Sequence, residues 1–415
     1  MFGLVDGNNF YVSCERAFDP TLIGKPVIVL SNNDGCAIAR SAEAKALGIK
    51  MGEVWHLSKR RPEFQGVIAK SSNYALYGDM SRRVFEVLSM NFARVEPYSI
   101  DEMFVDLTAF ARADYCRRVR AQVRQITKIP TCIGIGPTKT LAKLANKYAK
   151  SAADLGGVAD FSDDALRRKA FDAMPIDEIW GVGRAAQAKL NGLGVFTVAQ
   201  FAALPSASVR KLMTVTGQRT HAELNGVSCL PLSLAPSQRK TVSVTRAFGR
   251  PVETWVDMRE ALAAHASRAA EKVRQHGLEA CAVQVFFHTN PHDDAPFFNA
   301  QRSFEIEPTA DSLALIRHVT TAARSMWRPG LKYAKAGVIL PDLVLASSAP
   351  RDLVPSGDPE KSEKLMTALD SLNARFGRGT VKPGAIRQTP PWAARANNLS
   401  PRYTTRLEDL MIVHA

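Results

Sequence analysis

The residues best suited to chemistry are Asp101 and Glu102, in the run Tyr98-Ser99-Ile100-Asp101-Glu102-Met103-Phe104-Val105-Asp106, together with Asp6 in Leu4-Val5-Asp6-Gly7. The adjacent pair lies between strand-like runs at 94–99 and 103–107, and Asp6 closes a short apolar run. Acids at the ends of neighbouring strands make an oxygen-only cluster suited to Mg2+, which favours carboxylates, waters and substrate phosphates. With two such ions, Asp6 and Asp101 suit the bridging role and Glu102 the ion beside an attacking 3′-oxygen. The Gly7 carbonyl suits the ion that carries a triphosphate. An isolated Asp-Glu pair reads as a solvated hairpin turn, and it is the strand-terminal Asp6 that argues otherwise. Asp106 reads as structural.

A triphosphate needs cations opposite those ions. Lys45 in Ser41-Ala42-Glu43-Ala44-Lys45 and Lys150 at the end of a helix over 137–150 are candidates, and Lys139, Lys143 and Lys147 make a basic stripe on that helix. The competing reading is strong, because a lysine at a helix C-terminus is favourable with no ligand. Tyr11, five residues after Asp6, could stack under a sugar and exclude a 2′-hydroxyl, although an aromatic there equally suits a core. In Trp180-Gly181-Val182-Gly183-Arg184 a Gly-x-Gly turn joins two short helical runs, a helix-hairpin-helix pattern. Its glycines let backbone N–H groups approach a phosphate at the second helix's start, although a purely structural helical hairpin has the same pattern.

These residues must be positioned by several domains, for which 415 residues and 46% apolar content provide cores. Residues 1–161 alternate strands and helices. Strands are expected at 2–6, 26–31, 36–40 and 131–136, and helices at 74–92 and 111–127, with Pro137 opening the next. Setting aside an insertion at 20–73, the order is that of a ferredoxin-like sheet with both carboxylate stations on adjacent central strands. Residues 162–239 look helical, with a linker at 230–239, and 240–342 repeat a βαββαβ order without the acids. In the tail, 343–415, a helix bearing Leu365, Leu369, Leu372 and Phe376 stops at Gly377.

The net charge of +14 suits a polyanionic partner, and the excess of Lys and Arg is spread through every segment rather than gathered in a tail. No apolar run is long enough to span a bilayer, no signal-peptide layout is seen, and the six cysteines form no Cys-x-x-Cys pair. A reduced cytoplasmic protein without structural zinc or membrane contact is expected.

The chain resembles the Y-family, lesion-bypass DNA polymerases, and among them the UmuC-type catalytic subunits of bacterial polymerase V. The matching residues run from end to end. They are Asp6 to Tyr11, Ser31-Asn32-Asn33-Asp34-Gly35-Cys36 through Lys50-Met51-Gly52, and Ser71-Ser72-Asn73-Tyr74. Tyr98 to Glu102, Thr138 to Asn146 and Leu399 to Arg406 complete the set. The resemblance implies an α+β multidomain fold: a ferredoxin-like palm (1–18 and 74–161), small fingers (19–73), a helical thumb with its linker (162–239), a little finger (240–342) and a UmuC-type tail (343–415). It implies error-prone translesion synthesis in SOS-type repair and mutagenesis, with two Mg2+ ions transferring a nucleotide from dNTP to a primer on template DNA.

Position for position, the resemblance makes Asp6, Asp101 and Glu102 the metal ligands and Tyr11 the steric gate. Asn9, Phe10, Ser41, Lys45 and Lys150 fall at nucleotide-contacting positions, and Cys36, Ile38 and Gly52 form the roof over the nascent base pair. Ser41-Ala42 departs from the Tyr found in many relatives. The implied partners are a processed UmuD-type dimer, the RecA filament and the sliding clamp. The clamp peptide is degenerate, since Ala349-Pro350-Arg351-Asp352-Leu353-Val354-Pro355 has neither Gln nor an aromatic anchor. Two other readings compete. A palm-fold nucleotidyl cyclase would have no use for the helix-hairpin-helix, and a silent lesion or filament sensor would have no use for intact acids and lysines.

Overall fold

The computed structural model describes every residue except 109–111, 236–237, 351–357, 411 and 413–415. The degenerate clamp peptide therefore lies, from Arg351 on, outside the described residues. Two compact units form. One comprises Met1–Ser31, Gly35–Pro236 and Asn398–Ala415, and the other Asn32–Asp34 and Ser237–Asn397. The tail is shared between them.

In the first unit Phe2–Gly7 (β1) leads into Phe10–Phe18 (α1). Val27–Leu30 (β2), Ala37–Arg40 (β3) and Ile68–Ser71 (β4) form a small sheet of order β3-β2-β4, with Ala42–Ala46 (α2) and Trp55–Ser58 (α3) between β3 and β4 in the chain. Next come Tyr74–Asn91 (α4), Val95–Pro97 (β5), Glu102–Asp106 (β6), Arg112–Thr127 (α5), Thr131–Gly136 (β7), Lys139–Ser151 (α6) and Val158–Asp160 (β8). Their sheet has the order β5-β6-β1-β7-β8, with β1 antiparallel to both neighbours. The split βαβ order read from periodicity is thus present, and β1 and β6 are adjacent.

β1 is apolar up to Val5 because both its faces are covered. Leu4 packs with Phe104 and Ala142 of α6, whereas Val5 joins Met103, Val105 and residues of α4 and α5. By alternation Asp6 takes the α6 side. α6 begins at Lys139 rather than Pro137, since the Thr138 hydroxyl accepts from Leu141 N and caps it.

The fit of α6 onto the sheet is tight. A Cβ on Gly134 would lie 2.0 Å from Asn146 N and 2.1 Å from Ala142 O. Buried Asn146 donates through its side chain to Leu4 O (3.1 Å) and Cys132 O (2.7 Å), pinning the helix across β1 and β7.

Beyond it, Asp164–Ala173 (α7), Arg184–Asn191 (α8), Val198–Ala202 (α9) and Ser206–Leu224 (α10, interrupted at Thr214) have their own apolar core. The first half of the expected helix-hairpin-helix is only a single 3-10 turn, Ile176–Glu178, too short to count as a helix.

The second unit has Thr241–Val252 (β9), Trp255–Arg274 (α11), Leu278–Thr289 (β10), Asn299–Thr309 (β11), Ser312–Met326 (α12), Tyr333–Pro341 (β12), Leu343–Leu345 (β13) and Pro359–Phe376 (α13). The element order repeats that of the first unit, but the sheet does not. Here it runs β11-β10-β12-β9, placing its first strand at an edge. Element order leaves strand neighbours open, and the pairing of β12 with β10 decides them. In α13 Met366 is the buried apolar residue, while Leu365, Leu372 and Phe376 are exposed. Among the described residues no helix is long and apolar enough to cross a membrane.

Replacing Gly134 with Ala should cost about 3 kcal/mol, because the added methyl meets backbone rather than a side chain that can turn away. Chemical denaturation of the full chain measures it, and a change below about 1 kcal/mol would show that α6 is free to shift outward.

Candidate active site

The register of β1 and β6 sets Asp6 directly across from Glu102. Gly7 N donates to Asp101 O (2.9 Å), so Asp101 sits beside the same strand end. Ser99 shapes the turn. Its hydroxyl donates to Asp101 Oδ1 (2.7 Å) and accepts from Glu102 N (3.0 Å), fixing where both acids start.

The three carboxylates share this strand end, yet among the described residues no three His, Cys, Asp or Glu side chains close into a ready-made metal cage. Two of the three hold ammonium groups from α6. Lys150 Nζ lies 2.6 Å from Asp6 Oδ2, and Lys143 Nζ is ion-paired with Glu102 Oε1. Lys143 also lies over the rings of Tyr98 (5.1 Å) and Trp180 (5.7 Å).

Burial pushes the Asp6 carboxyl up to about 6; Lys150 opposes the shift, and the neighbouring Glu102 and Asp101 add to it. One lysine is therefore not enough to balance the buried charge. Asp106, at the other end of the same strand pair, behaves oppositely. Burial raises it, but bonds from Thr108 and Arg94 outweigh that and bring it to about 2. It is structural, as its sequence context suggests.

The basic stripe divides by function. Lys139 is buried and bonds Glu96 Oε2 (2.5 Å), which also accepts from Ser233 N (2.7 Å), so it is a structural ion pair. Lys147 pairs with Glu178 (2.8 Å). Lys45 donates to Asn9 Oδ1 (2.7 Å), and Asn9 precedes α1 in a left-handed conformation (φ 48°). Burial lowers the Lys45 ammonium below its usual range; Arg40, Lys150 and Lys147 crowd it further, with Asp6 opposing. Cations gathered this closely suit a polyanion.

Arg40 was not singled out from sequence. It ends β3 two residues after Ile38, which alternation puts on the same face, and its Nε is buried without a partner. The period-2 pattern Cys36, Ile38, Arg40 was the available signal.

Tyr11 stacks on Tyr77 (4.6 Å between centroids, 15° between planes) and meets Tyr74 edge-on. Burial raises its phenol, with Tyr74 and Asp101 contributing, so it stays neutral and near the acids. Cys36 and Ile38 are partly exposed; Gly52 has φ 79° with open space where a Cβ would project.

Two of the expected nucleotide-contacting residues have buried side chains. Ser41 is fully buried: its hydroxyl accepts from Ala44 N and Val27 N (both 3.1 Å), capping α2 and holding β2, and donates to Lys25 O (3.3 Å). The Phe10 ring is likewise interior. At the hairpin turn Gly181 has φ 91°, Gly183 caps α8, and Gly183 and Arg184 are exposed.

This fold is that of a Y-family DNA polymerase. The fold is similar to that of a solved Y-family DNA polymerase chimera of Dbh and Dpo4 (TM-score 0.67, 19% identity, 83% of this chain and 100% of that one). Residues 5–147 match the impB/mucB/samB family, residues 239–353 its C-terminal domain, and residues 363–413 a domain of unknown function. Over 100% of both chains the protein is 41% identical to Protein UmuC of Salmonella typhimurium. It is 30% identical to DNA polymerase IV of Desulfatibacillum aliphaticivorans over 92% of this chain and 96% of the other. The chain belongs to the impB/mucB/samB family, as a UmuC-type DNA polymerase of error-prone translesion synthesis.

The Asp6 environment fixes a pH dependence. Below its ordinary value of 3.8 the carboxyl is protonated folded or unfolded, and burial costs nothing extra. As pH rises through about 6 the folded state must ionise it, and stability is lost. In chelator at neutral pH, Asp6→Asn should therefore be more stable than the parent by on the order of 2 kcal/mol, with the gain vanishing near pH 4. Paired denaturation curves measure it, and a destabilised variant at neutral pH would refute the burial argument.

Proposed function

We propose that Asp6, Asp101 and Glu102 hold two Mg2+ ions, with the Gly7 carbonyl completing the second site. There the chain joins dNTP to a primer 3′ end on damaged template DNA. The observation that carries this is Asp6 facing Glu102 across β1 and β6, with Asp101 tied to Gly7. The donor set fits the ion: hard oxygens only, one of them a buried carboxylate short of positive charge. When bound, the ions would supply the acidity that activates the 3′-hydroxyl and the charge that steadies the leaving pyrophosphate.

The chain's own side chains do the rest. Lys143 and Lys150 hold Glu102 and Asp6 in place before substrate arrives. Lys45, with Arg40 and Lys150 nearby, takes up the triphosphate. Tyr11 presents a neutral ring to the sugar and leaves no room for a 2′-hydroxyl, while Cys36, Ile38 and Gly52 cover the base pair with small or aliphatic groups. A loose roof of that kind accommodates distorted bases.

The palm (1–18, 74–161), fingers (19–73), thumb (162–239), little finger (240–342) and tail (343–415) follow from this reading. Gly181, Gly183 and Arg184 would contact a DNA phosphate. A processed UmuD-type dimer, the RecA filament and the sliding clamp remain the partners we propose, in the cytoplasm during SOS mutagenesis.

Primer extension with Mg2+ and dNTP is the test. Asp101→Asn and Glu102→Ala should reduce extension to background while primer-template binding persists; a variant that still extends would remove that residue from the ligand set. Lys45→Ala and Lys150→Ala should each raise KM for dNTP about tenfold, the scale of a lost charge-assisted bond. An unchanged KM would return those lysines to a purely structural role.

A further inference from the structure

The segment Asn398–Ala415 belongs to the first unit, and its beginning is bonded into the interior. Ser71 N donates to Asn398 O (2.9 Å), and Asn398 N donates back to Ser71 Oγ (3.0 Å) at the end of β4. Two residues on, Ser400 is buried. The Asn73 side-chain amide donates to Ser400 O (3.0 Å), Ser400 Oγ (3.0 Å) and Pro401 O (3.1 Å). The Asn73 Oδ1 accepts from Leu76 N (3.3 Å) and caps α4. Farther along, Tyr403 stacks face to face on Phe18 of α1 (4.9 Å, 5°).

The Ser400 hydroxyl donates to Glu15 Oε1 (3.0 Å), the same oxygen that accepts from Tyr77 OH (2.6 Å). Glu15 lies one helical turn beyond Tyr11 on α1, so both share a face. Tyr77 is wholly buried and spans the two: its ring backs Tyr11 and its hydroxyl reaches Glu15. Burial holds the Glu15 carboxyl above its ordinary range, while the bonds from Tyr77 and Ser400 oppose the shift. An interior carboxylate of this kind is held where its donors are, and the ring stacked on one of those donors goes with it.

We propose that Asn398–Tyr403 is a strap that positions the sugar-excluding ring, with Ser400 acting through Glu15 and Tyr77 on Tyr11. Ser400 is a positioning residue and touches no substrate. The proposal rests on the reading of Tyr11 as the gate. Discrimination against a single hydroxyl depends on ring placement at the scale of about an ångström, so a support behind the ring sets it as surely as the ring itself.

The experiment is single-nucleotide insertion by the full chain on a primed template. It reads the ratio of kcat/KM for a deoxynucleotide to that for the matching ribonucleotide. Ser400→Ala should lower the ratio about fivefold to tenfold, the scale of one lost bond to a buried charged group, with deoxynucleotide insertion largely kept. Ser400→Thr, which retains the hydroxyl, should restore it. Tyr403→Leu, which unstacks the strap from α1 while keeping the Ser400 and Tyr77 bonds to Glu15, should shift it in the same direction. Equal loss for both nucleotides, or an unchanged ratio in Ser400→Ala, overturns the strap. Tyr11→Ala separates the two levels. If it admits ribonucleotides while Ser400→Ala does not, only the strap fails; if it too leaves the ratio unchanged, the gate reading fails and the strap with it.

Discussion

Carboxylates crowded at one strand end repel each other, and burial of Asp6 raises the cost of keeping them there. Helix α6 meets that cost in part, with Lys143 on Glu102 and Lys150 on Asp6. It can do so only because Gly134 lets backbone meet backbone and Asn146 ties the helix across two strands. The sheet defines where the acids stand; the helix makes standing there tolerable. Compensation is incomplete at Asp6, whose carboxyl stays above its ordinary range despite Lys150.

Contrast within one strand pair separates support from chemistry. Asp106 and Asp6 lie at opposite ends of the β1–β6 ladder and differ in their ionisation by several pH units for reasons visible in their neighbours. The lysines divide similarly. Lys139 is spent inside the fold on Glu96, whereas Lys45 bonds the Asn9 amide oxygen and stands among like charges, with Asp6 opposing them.

Much of this was legible in the sequence because it was local. The carboxylate pair, the strand-terminal Asp6 and the alternation of elements each needed only a short window and a known period. What escaped depended on partners distant in the chain. The bonds of the Ser41 hydroxyl to β2 and α2 are not visible in its local sequence, and Arg40 gains meaning only once Lys45, Lys147 and Lys150 gather nearby. The sheet order of the second unit was hidden for a related reason: hydrophobic period says which residues are strands, not which strands are neighbours. The helix that bears Leu365, Leu369, Leu372 and Phe376 ends at Gly377 as its sequence indicates, but an amphipathic pattern does not say which apolar residue turns inward.

Asn73 does two jobs that a single near-isostere could not share. Its oxygen caps a helix while its nitrogen serves three acceptors, and aspartate could perform only the first task. An aspartate at this position would set a carboxylate against three oxygens that the amide nitrogen had held, so the helix start and the anchorage of the last segment would come apart at one atom.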